Sequence, residues 1–416
     1  MIRVLRRRDF ALLWTGGLVS VAGDWMLFAV LPYVVYAVTG STVATAGMIV
    51  AELLPGILLG SLAGVLVDRW DRRRLLVAVN LLQAVVVMAL LLMVSNPELL
   101  PVVYVVAALQ SALSAFSLPA ENSLLPTLVP ADELVEANAL NVLNNRMGRL
   151  AGLPLGSAVY ASTGLGAVVV LDAVSFVAAA ALVAGVRAGR STRAEEAGEL
   201  RPGSRLSAFL AEWRAGLVLV RQNRSIATLF MVFGLMTFGG TMLDPLSAPW
   251  VRDVLGEGAT VYALLMTVHA LSGTVAALAV GAVGSRLSPR LLAGGASAAA
   301  GLLLLVRFNV PVLPVAVTLS AVSGAAAVAS SVGVETLAQQ RVPEEFRGRV
   351  FGSLQATIWL VSLLGAVVGG FGAEAIGLLP MLDVASVLVG LSGVVLLLAL
   401  PVEPSGTTCL EDQRRG

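Results

Sequence analysis

Lysine is absent from the 416 residues, histidine and cysteine occur once each (His269 and Cys409), and charged residues make up only 13% of the chain. Each scarcity excludes something. A single cysteine forms no intrachain disulfide. One histidine and one cysteine far apart rule out the usual zinc ligand sets, so no metal site is expected. No Walker-type glycine loop occurs, so ATP is not expected as the energy source. No nucleophile–base constellation and no nucleic-acid motif is present. The sequence therefore predicts neither an enzyme nor a cofactor, and no nucleic-acid partner. A soluble domain is about one quarter charged; this chain falls far short of that.

What fills the chain instead is apolar: 57% hydrophobic residues and a mean hydropathy of +0.89. Runs of roughly 20 apolar residues are long enough to cross about 30 Å of hydrocarbon as helices. Apolar length, punctuated by Gly, Pro and charge, predicts twelve spans. They lie near 11–37, 43–67, 75–95, 99–120, 137–161, 165–187, 226–250, 259–283, 290–308, 312–338, 348–374 and 378–401. The N-terminal "MIRVLRRRDF" looks like the start of a signal peptide. The apolar run after it is too long for one and has no small-residue cleavage site, so a retained first helix is expected. The longest polar stretch, "RAGRSTRAEEAGELRPGSR", and the amphipathic "LSAFLAEWRAGLVLVRQNR" separate spans six and seven. The expected organisation is an N-terminal six-helix bundle (1–187), a cytoplasmic linker (188–225), a second six-helix bundle (226–401) and a tail (402–416).

All 27 basic residues are arginine, and their placement is uneven. They crowd the N-terminus, the 68–74 loop, the central linker, Arg286 and Arg290, and Arg341, Arg347 and Arg349. The alternate short loops near 38–42, 96–98, 162–164 and 375–377 have none. Basic residues mark the cytoplasmic side of a membrane protein, which places both termini and the linker in the cytoplasm. Arg252 and Arg307 are the two exceptions. The halves also resemble each other. "GVLVDRWDRRRLL" at Gly64 aligns with "GAVGSRLSPRLLA" at Gly281, setting Arg73 over Arg290. Further on, Gly152 falls over Gly365, Gly156 over Gly369 and, after a two-residue slip, Asp172 over Asp383. Parallel six-helix repeats are a transporter layout.

The loop between spans two and three reads Gly64, Leu66, Asp68, Arg69, Arg72 and Arg73. It resembles the signature loop of the major facilitator superfamily, Gly-x-Leu-x-Asp-Arg-x-Gly-Arg-Arg, with Asp71 where the family usually has Gly. The resemblance covers about residues 5 to 401. "RDFALLWTGGLVSVAGDWMLFAVLPYVV" and "VPEEFRGRVFG" look like the bacterial branch of macrolide-efflux and siderophore-export proteins. "GRLAGLPLGS" in span five is similar to the antiporter motif of drug exporters, with Pro154 one place later than usual. The span-four arginine of many drug antiporters is missing from "VYVVAALQSALSAF". The resemblance implies an all-α fold of twelve membrane helices in two pseudo-symmetric bundles. It also implies a cytoplasmic gate: Gly64, Asp68, Arg69 and Arg73 meeting the start of span eleven, where Arg347 and Arg349 add ion pairs. A carboxylate at a helix N-terminus is favoured by the exposed N–H groups. Arginines that only fix topology and meet anionic lipid heads are the alternative.

Ionisable groups inside a membrane are costly and are functional candidates. Asp24 in span one, Glu52 in span two and His269 in span eight are the proton-coupling candidates, and Asp244 in span seven is a cavity candidate. Arg146 and Arg149, three apart on one face of span five, are expected charge partners, with an Asp24–Arg146 or Asp24–Arg149 pair lowering the cost of burial. For Asp24 a coupling role and a structural ion pair remain equally open. A packing role is the alternative for Glu52 and His269. Asp172 and Asp383, at equivalent places in the repeats, read as structural. Glycines 148, 152 and 156 allow close helix approach. Tyr36, Phe230, Phe233, Phe238 and Trp359 are candidates to line an apolar cavity.

These readings converge on a monomeric exporter of the bacterial inner membrane. It would move an amphipathic small molecule, a drug or secondary metabolite, by rocking of the halves and proton antiport, amid membrane lipids. The alternatives are a transporter of another substrate class, such as a lysophospholipid flippase or nutrient importer, and a non-transporting membrane receptor.

Overall fold

The computed structural model describes residues 2–187, 224–283, 287–342 and 347–400. The linker and tail expected from sequence lie outside them. The described residues form twelve helical rods of crossing length. The first is Arg8–Phe28 with Leu31–Thr39, the second Thr42–Arg69, the third Arg72–Met88 with Leu90–Ser95, and the fourth Pro101–Leu124. Spans five and six are Leu134–Thr163 and Leu165–Ala184. Spans seven to twelve are Arg224–Pro249, Ala259–Val283, Pro289–Asn309, Leu313–Arg341, Arg347–Ile376 and Leu378–Ala399. Eleven rods are apolar enough to cross a bilayer by length and composition. Span five is the twelfth. Asn138, Asn141, Asn144, Asn145, Arg146 and Arg149 make its first half too polar to face lipid, so its register is set by neighbouring helices instead.

Span one is not the single helix that its apolar run predicts. It breaks at Ala29 and Val30. Pro32 has no N–H to donate to the carbonyl of Phe28, and its ring crowds that carbonyl. A discontinuity in the middle of a membrane helix is tolerated where the backbone lines a protein cavity, and Phe28 does line one.

The internal repeat is visible in the packing. In the first half, a Cβ at Gly152 or Gly156 would collide with the backbone of Ala22 or Met26 on span one. In the second, a Cβ at Gly365 would lie 2.8 Å from the Phe238 carbonyl, and one at Gly369 would collide with Met242 on span seven. The aligned glycines thus do the same work in each half, bringing the fifth helix of the bundle onto its first. The aligned arginines also correspond: Arg73 donates to the carbonyl of Ala184, and Arg290 to that of Leu397. Each ties the start of the third helix in its half to the C-terminal end of the sixth, where a cation is favoured. The alignment does not extend to Asp172 and Asp383. Asp172 is wholly buried, whereas Asp383 accepts a 2.7 Å bond from Asn309 near the surface.

A polar clamp ties the start of the chain to the connection between spans four and five. Arg7 donates to both Glu133 oxygens, at 2.6 and 3.1 Å, and Arg3 lies 3.5 Å from one of them. Hydrogen bonding to Arg7 holds the Glu133 carboxyl below its ordinary value. A carboxylate so lowered stabilises the fold above the unfolded carboxylate range, and that contribution is lost as pH falls through the lower, folded value. Arg7→Gln is therefore expected to lower the melting temperature of the purified protein at pH 7, with the difference from wild type shrinking below about pH 4. Melting curves across pH check it.

Candidate functional site

The two halves meet most closely at the end that carries the short turns. Tyr36 donates to a carboxylate oxygen of Asp253, and Arg252 donates 3.1 Å to the Tyr36 carbonyl while its guanidinium lies 5.8 Å from the Tyr36 ring. Tyr33 reaches the Glu257 carbonyl at 3.3 Å. Beside them, Ser41 donates 2.5 Å to Glu374 and Thr42 donates 2.8 Å to the Gly370 carbonyl. Arg252 and Asp253 sit in a π-helical turn, Trp250–Val254, that ends span seven. The wider turn is a device often found at functional sites.

Below this seal lies a central cavity with two lobes that share Phe28. One, of about 380 Å³, is walled mainly by the N-terminal half and holds Asp24, Glu52, Gln110, Ser111 and Ser114, with Trp359 contributed from span eleven. The other, of about 300 Å³, is walled mainly by the C-terminal half and holds Asp244, His269 and Arg307, with Arg149 reaching in from span five. Asp24 stands near the middle of the kinked first span and Asp244 toward the C-terminal end of span seven, yet both are exposed to this open space. A third, polar cleft of about 700 Å³ runs from Arg149 and His269 past Asn145, Asn141 and Asn138 toward the arginine-rich end. The molecule is thus sealed at the short-turn end, with a path leading away from the lobes at the other.

The structure redistributes several residues singled out by sequence. No ion pair joins Asp24 to Arg146 or Arg149; the ion pairs among the described residues run from Arg3 and Arg7 to Glu133 and from Arg8 to Asp9. The reason is local. The Arg149 guanidinium lies 4.5 Å from the centre of the Trp25 ring, which itself packs edge-on to Phe28 at 4.9 Å. That aromatic stack turns Arg149 toward the lobe of Asp244, within whose electrostatic reach it lies. Arg146 faces the polar cleft. Tyr36 lines neither lobe nor the polar cleft; it belongs to the seal. Phe233 and Phe230 are core residues of the C-terminal half, packed with Leu396 and Val334, and Phe238 packs beside the core around Met242. Trp359, Glu52, Asp244 and His269 do line the lobes. Arg73 engages its own half rather than the other, and Gly64 stands open, with nothing near an added Cβ. The side chains of Asp68, Arg69, Arg347 and Arg349 lie outside the described set.

Two residues gain weight. Asp172 sits behind Asp24 with one oxygen lacking any hydrogen-bond partner, and a Cβ on the intervening Gly23 would lie only 2.5 Å from its other oxygen. Arg307, an exception to the arginine asymmetry, lies in the second lobe.

Two six-helix bundles joined at one end, around a charged cavity at membrane depth, define a two-bundle membrane transporter. The chain belongs to the family described as transmembrane secretion effector, within the major facilitator superfamily; the family profile matches residues 2–410. It is 26% identical to macrolide efflux protein A of Streptococcus pyogenes over 376 residues, covering 88% of this chain and 90% of that one. Among solved structures it resembles the nucleoside transporter NupG, with a TM-score of 0.75 at 12% identity over 95% of this chain and 99% of that one. A bacterial homologue of the iron transporter ferroportin matches with a TM-score of 0.72 in its inward-facing state, at 18% identity over 96% of this chain and 99% of that one. Its outward-facing state matches at only 0.57, at 19% identity over 94% and 99%.

Proposed function

We propose that this transporter is a secondary active exporter of amphipathic small molecules in a bacterial cytoplasmic membrane. It works as a monomer, by alternating access and proton antiport. The observation that carries the reading is the central cavity: apolar walls around carboxylates at membrane depth, sealed at one end by contacts between the halves. Apolar walls with a few placed polar groups suit an amphipathic ligand. A carboxylate reached from alternate sides suits a proton. The similarity to macrolide efflux protein A supports export as the direction. Susceptibility profiling of cells expressing the chain, across antibiotics and siderophores, tests it. Raised tolerance to at least one compound, abolished by collapsing the proton gradient, is expected; no change for any compound counts against export.

The arginine asymmetry supports an orientation with both termini, the linker and the open cleft on the cytoplasmic side. Single cysteines at Gly40, Thr163, Gly377 and Ser204, in a Cys409→Ser background, check this with an impermeant maleimide on intact cells. The first three are expected to label, while Ser204→Cys and native Cys409 resist. External labelling at Ser204→Cys would sink the orientation.

A further inference from the structure

Arg307 is a charged group of the second lobe whose chemistry the exporter reading leaves unused. It is 8% exposed. Its Nε donor has no hydrogen-bond partner, and among the described residues no carboxylate lies within ion-pairing distance of its guanidinium. What holds the cation is aromatic: the guanidinium lies 5.2 Å from the Trp250 ring centre and 5.1 Å from that of Phe308. Trp250 is itself pinned by a 3.1 Å bond to the Phe308 carbonyl. Faces of aromatic rings stabilise a cation without using its N–H groups. Arg307 is therefore held by ring faces and lines the lobe, with no hydrogen bond from its donors among the described residues.

A buried, oriented guanidinium with open donors matches one ligand chemistry, a planar or tetrahedral oxyanion accepting two parallel N–H bonds. The remaining charges agree. Asp244 lies within electrostatic reach of Arg149, which leaves Arg307 as the uncompensated cation of the lobe. Ring and aliphatic walls, among them Phe28, Leu304 and Met266, supply an apolar complement beside it. A volume of about 300 Å³ suits one or two rings rather than two acyl chains.

We propose that the C-terminal lobe is a subsite for the carboxylate or other oxyanion of a small anionic amphiphile, with Arg307 as its ligand. The inference rests on reading the central cavity as the substrate site, and it narrows the substrate class. The probes are 1-naphthaleneacetate and its neutral amide, which share a ring system and differ in charge. Binding is measured by equilibrium dialysis against the purified full chain in a non-ionic detergent. The acid is expected to bind about tenfold or more tighter than the amide, as a charge-assisted hydrogen bond implies. Arg307→Gln is expected to lower acid binding to about the level of the amide, and Arg307→Lys to restore part of the preference. Asp244→Asn removes the opposing charge and is expected to tighten acid binding severalfold, a gain that misfolding cannot mimic. Equal affinity of acid and amide for the wild type, or a preference surviving Arg307→Gln, overturns the proposal. So does displacement of the acid by dioctanoyl phosphatidate at concentrations below the acid's own, since the oxyanion would then belong to a lipid. Export is scored separately. A chain that binds the acid through Arg307 but exports nothing loses the exporter reading and keeps the site; one that exports without the preference loses only this inference.

Discussion

Asn in place of Asp24 is expected to abolish uphill, pH-driven export while substrate binding persists. Asp24 opens into the N-terminal lobe beside Glu52, and no arginine is paired with it, because Arg149 is held by the Trp25 ring. A carboxylate here, with no fixed cation beside it, is available to exchange a proton with the cavity. Antiport follows if the loaded and protonated forms exclude one another: a proton taken up from outside expels the substrate, and its departure inside readmits the substrate. The Asn side chain keeps the shape and the polarity but carries no exchangeable charge. The decisive measurement is substrate-dependent proton release from purified protein in detergent, using the compound that the susceptibility panel identifies. Wild type is expected to release protons on binding and Asp24→Asn to release none, with binding by the mutant insensitive to pH. Release by the mutant equal to wild type would falsify the assignment and leave Glu52 and His269, which also line the lobes, as the carriers to test.

Much of this fold is legible in the sequence because lipid leaves few choices. A backbone in hydrocarbon must satisfy its own hydrogen bonds, so twenty apolar residues become a helix. The aligned glycines are legible too: spacing of small residues signals close packing before any neighbour is known, and Gly156 and Gly369 prove to face the first helix of their own bundles. Side-chain partners are a different matter. Asp24 and Arg149 are opposite charges on helices that do pack together, and sequence offers no sign that Trp25 claims the arginine first. Tyr36, Phe233 and Trp359 are all aromatics in apolar runs. Only the rotation of each helix assigns one to the seal, one to the core and one to the cavity. The most informative signal was a breach of a rule. Arg252 and Arg307 sit against the arginine asymmetry, and an arginine where topology disfavours it must be held by something. One fastens the two halves together, and the other faces the cavity.

The seal made by Arg252 and its neighbours sets the second large effect: Asp253→Ala is expected to shift the resting population toward an opening at the short-turn end. Asp253 accepts from Tyr36, a residue only 6% exposed. Without it the Tyr36 hydroxyl loses its acceptor and Arg252 loses a neighbouring countercharge. Losing a charged hydrogen bond of this kind costs about 1–3 kcal/mol, which moves a balanced two-state equilibrium by roughly five- to 150-fold. Glu374→Ala removes the acceptor of Ser41 and of the Val43 N–H in the same seal, with a smaller effect because that pair is exposed to water. Gly370 offers a route that is steric rather than electrostatic. A Cβ there would overlap the Ala46 side chain and come within 3.0 Å of the Thr42 carbonyl across the interface, so Gly370→Val is expected to prop the same end apart. Spin labels at Val38 and Ile376, both exposed near this end and in opposite halves, report the separation by pulsed electron resonance. The longer-distance component is expected to grow in the order Glu374→Ala, then Asp253→Ala, then the double variant, with Gly370→Val reaching it independently. If the distribution is unchanged in the double variant but lengthened in Gly370→Val, close helix packing rather than the polar pairs holds the seal.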